Sequence, residues 1–400
     1  MLDYSILRDT AAQYGDAYYL FSPERVKANY QMMERLFQAE YKDFAIAYAL
    51  KVNYLPALCS VIESLNGMAE VSSELEYHAA QCAGFPGDRM IYNGPNKDTA
   101  TVQSILLAGG IVNLDSVEEW TDIQKIISEY PQQLLRIGIR CNFSEEGNRE
   151  SRFGIDVSSQ PFWELLETLL AEPNVQFECL HCHVKGRKLA DWQRRIGNMF
   201  RIYQEIFSRY ATVPRILNLG GGLPISDADG RIYSQIASGM TQMLKMLADG
   251  CSKPIIMVEP GTALVLNSTC FVTRVAQIKK LGNRIIAVLN ATTFQVNPLH
   301  RDGLLNPVVY AADHDYTDTL LYDLVGDSCL EDDIFCRAYR SYLQPGDYVV
   351  FQNVGAYSFV LKPPFITLNA PVLAFDEVTH SVAEVKRREK PEDILYGYTI

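Results

Sequence analysis

The chain has 400 residues, 48% of them hydrophobic and 21% charged, with a formal net charge of −12. That balance suits a soluble enzyme with a large buried core. An acidic chain without a basic stripe argues against nucleic acid or an anionic membrane surface as partner, and nothing approaches the roughly 18 uninterrupted apolar residues of a membrane helix.

The opening residues, MLDYSILRDTAAQYGD, show no basic stretch followed by an apolar one, so no secretory leader is expected. Nine cysteines are scattered along the chain, odd in number and without a CxxC pair. Reduced thiols in a cytoplasm account for this better than a disulfide framework. Tyr18–Phe21 reads as a possible strand. Beyond it, short apolar runs alternate with helical-looking stretches. The eight runs are Phe44–Leu50, Met68–Ser72, Met90–Asn93, Ile111–Leu114, Leu134–Cys141, Val175–Val184, Ile216–Leu219 and Ile255–Val258. They are apolar on both faces and rich in Val, Ile and Leu, as fully buried parallel strands are. Amphipathic stretches such as Tyr54–Ser64 and Trp163–Ala171 lie between them. Such β-α alternation predicts a (β/α)8 barrel of TIM type.

From about Thr269 the pattern changes. Cys270–Val275, Arg284–Leu289, Thr319–Leu324, Ile334–Tyr339 and Tyr348–Phe351 are strand-like, with turn residues between them and little helical period. The predicted organisation is α/β: a barrel over residues 26–268, a C-terminal β domain over 269–400, and an N-terminal segment, 1–25, joining the β domain.

Catalytic groups of such a barrel sit at the C-terminal ends of its strands. Lys51 follows the first run, His181-Cys182-His183 follow Leu180 near the end of the sixth, Gly220-Gly221-Gly222 follow the seventh and Glu259-Pro260-Gly261 the eighth. A strand-end lysine is partly desolvated, which lowers its pKa and frees the amine for Schiff-base formation. The plainer alternative is a snorkelling lysine. The glycine triplet suits either a backbone cradle for phosphate or a tight strand-to-helix turn. It lacks the GxGxxG spacing of dinucleotide sites. Of the two histidines, His183 lies nearer the strand end and is the better functional candidate; no metal site is expected. A buried Glu259 needs a cationic partner. No GxSxG elbow, HExxH helix or P-loop is present.

Taken in order, these motifs resemble one family. The series is Tyr48-Ala49-Leu50-Lys51-Val52-Asn53, Glu70-Val71-Ser72-Ser73 with Glu76, Asn93-Gly94-Pro95-Asn96-Lys97, Ser151-Arg152-Phe153-Gly154 and His181-Cys182-His183-Val184. It continues with Asn218-Leu219-Gly220-Gly221-Gly222, Glu259-Pro260-Gly261, Gly326-Asp327-Ser328-Cys329 with Asp333, and Gly355-Ala356-Tyr357. It is similar to that of the fold-type III pyridoxal-phosphate (PLP) decarboxylases, which act on diaminopimelate, ornithine or arginine and are distantly related to alanine racemase. The resemblance implies an alanine racemase-like fold and PLP as a Schiff base on Lys51. It implies that His183 stacks on the pyridine ring and that Glu259 keeps the ring nitrogen protonated. Gly220, Gly221 and Gly222, with Tyr357, would bind the phosphate. Cys329, reaching across a homodimer interface with shared active sites, would protonate the substrate carbon after CO2 leaves. Arg152, Arg301 and Asp333 are candidates for binding an amino-acid-type substrate.

Three departures stand out. The family has an arginine after Glu-Pro-Gly where this chain has Thr262. It has an acidic residue after the cysteine where this chain has Leu330. After the stacking histidine it reads Val/Ile-Gly-Ser, against Val184-Lys185-Gly186-Arg187 here. The first two point to a specialised biosynthetic substrate rather than free diaminopimelate. The third replaces a phosphate-binding serine, and Lys185, Arg187 or Lys188 would supply positive charge instead. The competing expectations are a PLP-dependent racemase, disfavoured because alanine racemase sets an arginine opposite the ring nitrogen, and a non-catalytic binding or regulatory relative, disfavoured by the presence of Lys51 and Cys329.

Overall fold

The computed structural model describes residues 2–143, 151–225, 230–300, 305–311 and 319–399. The chain divides into two compact units, one of Met1–Val26 with Leu264–Ile400 and one of Lys27–Ala263. In chain order the first elements are helix α1 (Tyr4–Tyr14), strand β1 (Ala17–Phe21) and helix α2 (Pro23–Glu40). Helix α1 starts where Asp3 accepts the Ile6 N–H, a side-chain cap for an otherwise orphaned donor.

Next come β2 (Phe44–Ala49), α3 (Pro56–Ser64), β3 (Met68–Val71), α4 (Glu74–Cys82), β4 (Met90–Tyr92), α5 (Thr99–Leu107), β5 (Ile111–Leu114), α6 (Trp120–Glu129) and β6 (Leu135–Asn142). The two-residue β7 (Ile155–Asp156), α7 (Gln160–Ala171), β8 (Val175–His181), α8 (Leu189–Tyr210), β9 (Ile216–Asn218), α9 (Arg231–Lys245) and β10 (Ile255–Val258) follow. Eight of these strands pair in parallel in the order β5-β4-β3-β2-β10-β9-β8-β6, and the β5–β6 pairing closes the barrel. Strands buried on both faces explain the unbroken apolar runs. Ala47, Ile91, Ile111, Cys179, Ile216 and Met257 pack into one cluster inside this unit. Helix α8 buries Trp192, Ile196, Met199, Tyr203 and Ile206, a helical stripe. Each large apolar side chain so buried contributes roughly 1.5–3 kcal/mol.

Two strand ends differ from the sequence-based expectation. Strand β2 stops at Ala49, and Lys51 sits in a single 3₁₀ turn, Leu50–Val52, closed by the Asn53 N–H on the Leu50 carbonyl. Strand β8 stops at His181, because the chain turns away toward Gly186, whose φ of 130° only glycine adopts readily. His183 is therefore a loop residue.

The other unit is built on β11 (Thr269–Leu281), β12 (Arg284–Leu289), β13 (Pro307–Tyr310), β14 (Leu320–Val325), β15 (Ile334–Ser341), β16 (Tyr348–Phe351), β17 (Val372–Phe375) and β18 (Val382–Lys386). Its sheet runs β15-β14-β12-β11-β1-β17-β18, with β16 also on β11 and β13 on β16. β1 thus lies between β11, antiparallel, and β17, parallel. Leu7 and Ala11 of α1 pack with Tyr18, Leu20, Val272, Val350 and Leu373 in its core. All nine cysteines are free thiols. Among the described residues no helix is long and apolar enough to cross a membrane.

Candidate active site

The C-terminal rim of the barrel gathers polar side chains that its apolar strands otherwise exclude. Glu70 comes from β3, Asn113 from β5, His181 and Asn218 from the last positions of β8 and β9, and Lys51, Asn93 and Glu259 from just beyond β2, β4 and β10. Parallel strands bring all these ends to one side, so groups far apart in sequence meet.

Lys51 Nζ lies 2.5 Å from Glu70 Oε2. Glu70 Oε1 accepts the Ser72 hydroxyl at 3.0 Å and Asn93 Nδ2 at 3.2 Å. The same Asn93 amide donates to Glu259 Oε1 at 2.8 Å, where Asn218 Nδ2 also donates at 2.7 Å. His181 Nε2 stands 3.3 Å from Glu259 Oε2 and is the donor there, since a carboxylate only accepts. Behind this layer Asn113 Nδ2 donates to Asn93 Oδ1 at 2.8 Å. Asn113 has room only because position 138 on β6 is glycine: a Cβ there would lie 1.9 Å from Asn113 Oδ1.

Charge follows from this geometry. Burial alone would pull the Lys51 amine down, but Glu70 and Glu259 outweigh it and its pKa is raised. The expectation of a pKa lowered by desolvation is therefore corrected: two carboxylates hold the ammonium form. Burial would raise Glu259, yet His181 and Lys51 prevail and keep it ionised. Glu76, which accepts the Ser72 N–H at 2.7 Å, is pushed up to about 7 by burial and then by the Glu70 charge.

His183 is pushed down to about 3, first by burial and then by Lys51, so its ring is neutral near pH 7. Its Nδ1 accepts the Gly221 N–H at 3.0 Å, which leaves the ring proton on Nε2. The glycine triplet is a tight turn: a Cβ on Gly220, whose φ is 67°, would lie 2.1 Å from the Cys182 carbonyl oxygen. The Gly220 N–H goes to Asn218 Oδ1 at 2.9 Å. Of the three amides expected to bind phosphate, Gly220 and Gly221 thus have protein acceptors. Among the described residues the Gly222 N–H has none.

Arg152 is exposed and stacks over Phe153, 4.1 Å from the ring centroid, sharing that ring with Arg140. Arg301 lies outside the described residues. In the other unit, Cys329 is exposed in the turn between β14 and β15. Asp333 was expected to bind substrate, but its buried carboxylate accepts the Thr293 N–H at 2.7 Å and the Ser328 N–H at 3.2 Å. It holds the turn that carries Cys329. Tyr357 has a φ of 57°, unusual for a side-chain-bearing residue, next to Gly355, where a Cβ would lie 1.8 Å from the Val265 carbonyl oxygen.

The site also contains residues to which sequence reasoning gave no role. Asn93, Asn113, Asn218 and His181 carry the carboxylate network. Their signal was a polar residue in or just after the last two positions of a short apolar strand. Arg195, buried on α8, bonds the carbonyls of Leu219 at 2.9 Å, Gly221 at 2.5 Å and Val184 at 2.5 Å. Nothing in its local sequence distinguishes it from its neighbour Arg194.

A family model described as "Pyridoxal-dependent decarboxylase, pyridoxal binding domain" matches residues 25–266. Diaminopimelate decarboxylase of Archaeoglobus fulgidus is 28% identical over 353 residues, covering 84% of this chain and 83% of that protein. Diaminopimelate decarboxylase of Methanothermobacter thermautotrophicus is 24% identical over 420 residues, covering 98% of this chain and 94% of that protein. The crystal structure of diaminopimelate decarboxylase from M. jannaschii superposes with a TM-score of 0.88 at 20% identity, covering 98% and 94% of the two chains. That of an SrLDC mutant in complex with PLP superposes with a TM-score of 0.76 at 19% identity, covering 95% and 97%. With a family model matched across the barrel, the chain belongs to the pyridoxal-dependent decarboxylases and is a PLP-dependent carboxy-lyase.

Proposed function

We propose that this enzyme decarboxylates an amino acid or amino-acid-like moiety whose distal part is uncharged or belongs to a larger, conjugated molecule, rather than free meso-diaminopimelate. The observation that carries the proposal is Thr262. Glu259-Pro260-Gly261 leads into a short helix, Thr262–Val265, that offers a hydroxyl where the resembling family offers a guanidinium. A guanidinium holds a carboxylate through two parallel bonds, which a threonine cannot reproduce. Leu330, after Cys329, removes a second charge, and a distal amine set against it would lack a partner.

The residues present fit PLP. The barrel rim offers an amine at Lys51, an ionised carboxylate at Glu259, a neutral ring at His183 and, at Gly222, a backbone donor without an acceptor among the described residues. When bound, PLP supplies the electron sink that lets a carboxylate leave the substrate as CO2. In this proposal Lys51 would hold the cofactor through Nζ, with Glu70 placed to take up and return the Lys51 proton. Glu259, tied by Asn93, Asn218 and His181, would hold the ring nitrogen with a fixed negative charge. His183 would pack on the ring without adding a competing charge, and the Gly222 N–H would bind the phosphate.

CO2 release by the PLP-loaded protein, measured over a panel of amino acids, tests this. The panel holds meso-diaminopimelate, lysine, ornithine, arginine and their side-chain-acylated forms. An uncharged or conjugated substrate is expected to outperform the free diamino acids. A kcat/KM for meso-diaminopimelate of about 10⁴ M⁻¹s⁻¹ or more, an ordinary value for a true substrate, overturns it.

A further inference from the structure

Arg195 is a buried guanidinium without a carboxylate partner among the described residues. Its three side-chain hydrogen bonds go to carbonyls, those of Leu219, Gly221 and Val184, its Nε has no hydrogen-bond partner among the described residues, and its guanidinium lies over the Trp192 ring, 4.3 Å from the centroid. Burial presses its pKa down. A charge so placed is costly unless something answers it.

The bond to Gly221 suggests what does. The carbonyl of Gly221 and the N–H of Gly222 belong to one planar trans peptide unit, in which C=O and N–H point in opposite directions. Arg195 Nη1 holds that carbonyl at 2.5 Å. It therefore turns the Gly222 N–H away from itself, and Gly222 is the amide of the triplet without an acceptor among the described residues. A positive charge on the carbonyl end also polarises the unit and strengthens its N–H as a donor. The guanidinium remains close: a Cβ on Gly222 would lie 3.6 Å from Arg195 Nη2. The chain meanwhile lacks both the loop serine and the arginine after Glu-Pro-Gly that the resemblance led us to expect.

We propose that Arg195 is a positioning residue for phosphate, aiming and polarising the Gly222 N–H and supplying from behind the loop a positive charge in the absence of the arginine after Glu-Pro-Gly. This rests on the proposal that puts the cofactor's phosphate at Gly222. The dianion answers the buried charge, and the peptide unit transmits the interaction.

The test compares PLP with pyridoxal, which has the same aldehyde and ring but no phosphate. Full-length protein freed of cofactor is titrated with each, for wild type, Arg195→Met and Arg195→Lys. Arg195→Met is expected to weaken PLP by at least about tenfold, the lower range for a charge-assisted contact, and to leave pyridoxal unchanged. Arg195→Lys is expected to restore most of the preference for PLP. A wild-type preference that survives Arg195→Met, or equal losses for both aldehydes, overturns the role of Arg195 alone. Equal wild-type affinity for the two aldehydes sinks the phosphate placement as well. Should Arg195→Met not fold, phosphorus NMR of the wild-type complex decides. The phosphate is expected to stay dianionic well below its ordinary second pKa of about 6, and an unshifted titration overturns the proposal.

Discussion

Glu70 and Glu259 are joined by a single amide, since Asn93 Nδ2 donates to Oε1 of both, at 3.2 and 2.8 Å. Two carboxylates from different strands are thereby held in one layer, and both act on Lys51. Replacing Asn93 with alanine strands Asn113 Nδ2 and removes a donor from each acid. Urea unfolding of Asn93→Ala is expected to show a loss of roughly 1–3 kcal/mol, the usual result of leaving buried polar groups unmatched. A midpoint unchanged from wild type would mean that the tie carries no energy.

Lys51 is expected to be the residue that carries the cofactor. Borohydride reduction followed by peptide mapping should tag it, and Lys51→Ala should abolish turnover because the covalent route is gone. A tag on another lysine refutes the assignment.

Glu76 makes stability depend on pH. Its folded pKa of about 7 lies above its ordinary 4.5, so the folded chain binds the proton more tightly. The resulting stabilisation is complete below pH 4.5 and is lost as pH rises through 7. The loss amounts to about 3 kcal/mol at most. Melting temperatures of wild type and Glu76→Gln, followed from pH 4.5 to 8, should diverge in the variant's favour as pH rises. Parallel curves would rule this out.

Cys329 is expected to serve a second copy of the chain. Mixing Lys51→Ala with Cys329→Ala subunits should return activity through one intact site per mixed dimer. If the subunits exchange and activity stays absent, sites are not shared. Cys329→Ala alone should still bind PLP while slowing or misdirecting protonation.

The barrel was legible because strands buried on both faces write themselves as apolar runs, and Ile111–Leu114 and Ile255–Val258 match to the residue. Val175–Val184 was read too long because Cys182 and Val184 remain apolar after the sheet ends, and apolar character alone does not mark where hydrogen bonding stops. In the other unit β13, β17 and β18 were missed. All three are short, and Val382–Lys386 carries charge on an exposed face. Lys51, His183 and Glu259 stood out as candidates because they follow strands. Arg195 was not, since its importance lies in which carbonyls it reaches across the fold, and no local pattern encodes that.

Strand β1 has a consequence for how the chain is made. Residues 17–21 leave the ribosome ahead of the whole barrel, yet their hydrogen-bonding partners are residues 269–273 and 372–374. The entire barrel is synthesised in the interval, and domains tend to fold as they emerge. An apolar strand must therefore wait, unpaired on both edges, until those partners appear. Non-local pairing of this kind is slow and exposed to aggregation. Expression hosts short of holdase chaperones should accumulate chains with a finished barrel and an unfinished sheet, and trimming a few residues from the beginning should harm the sheet formed mostly by the end.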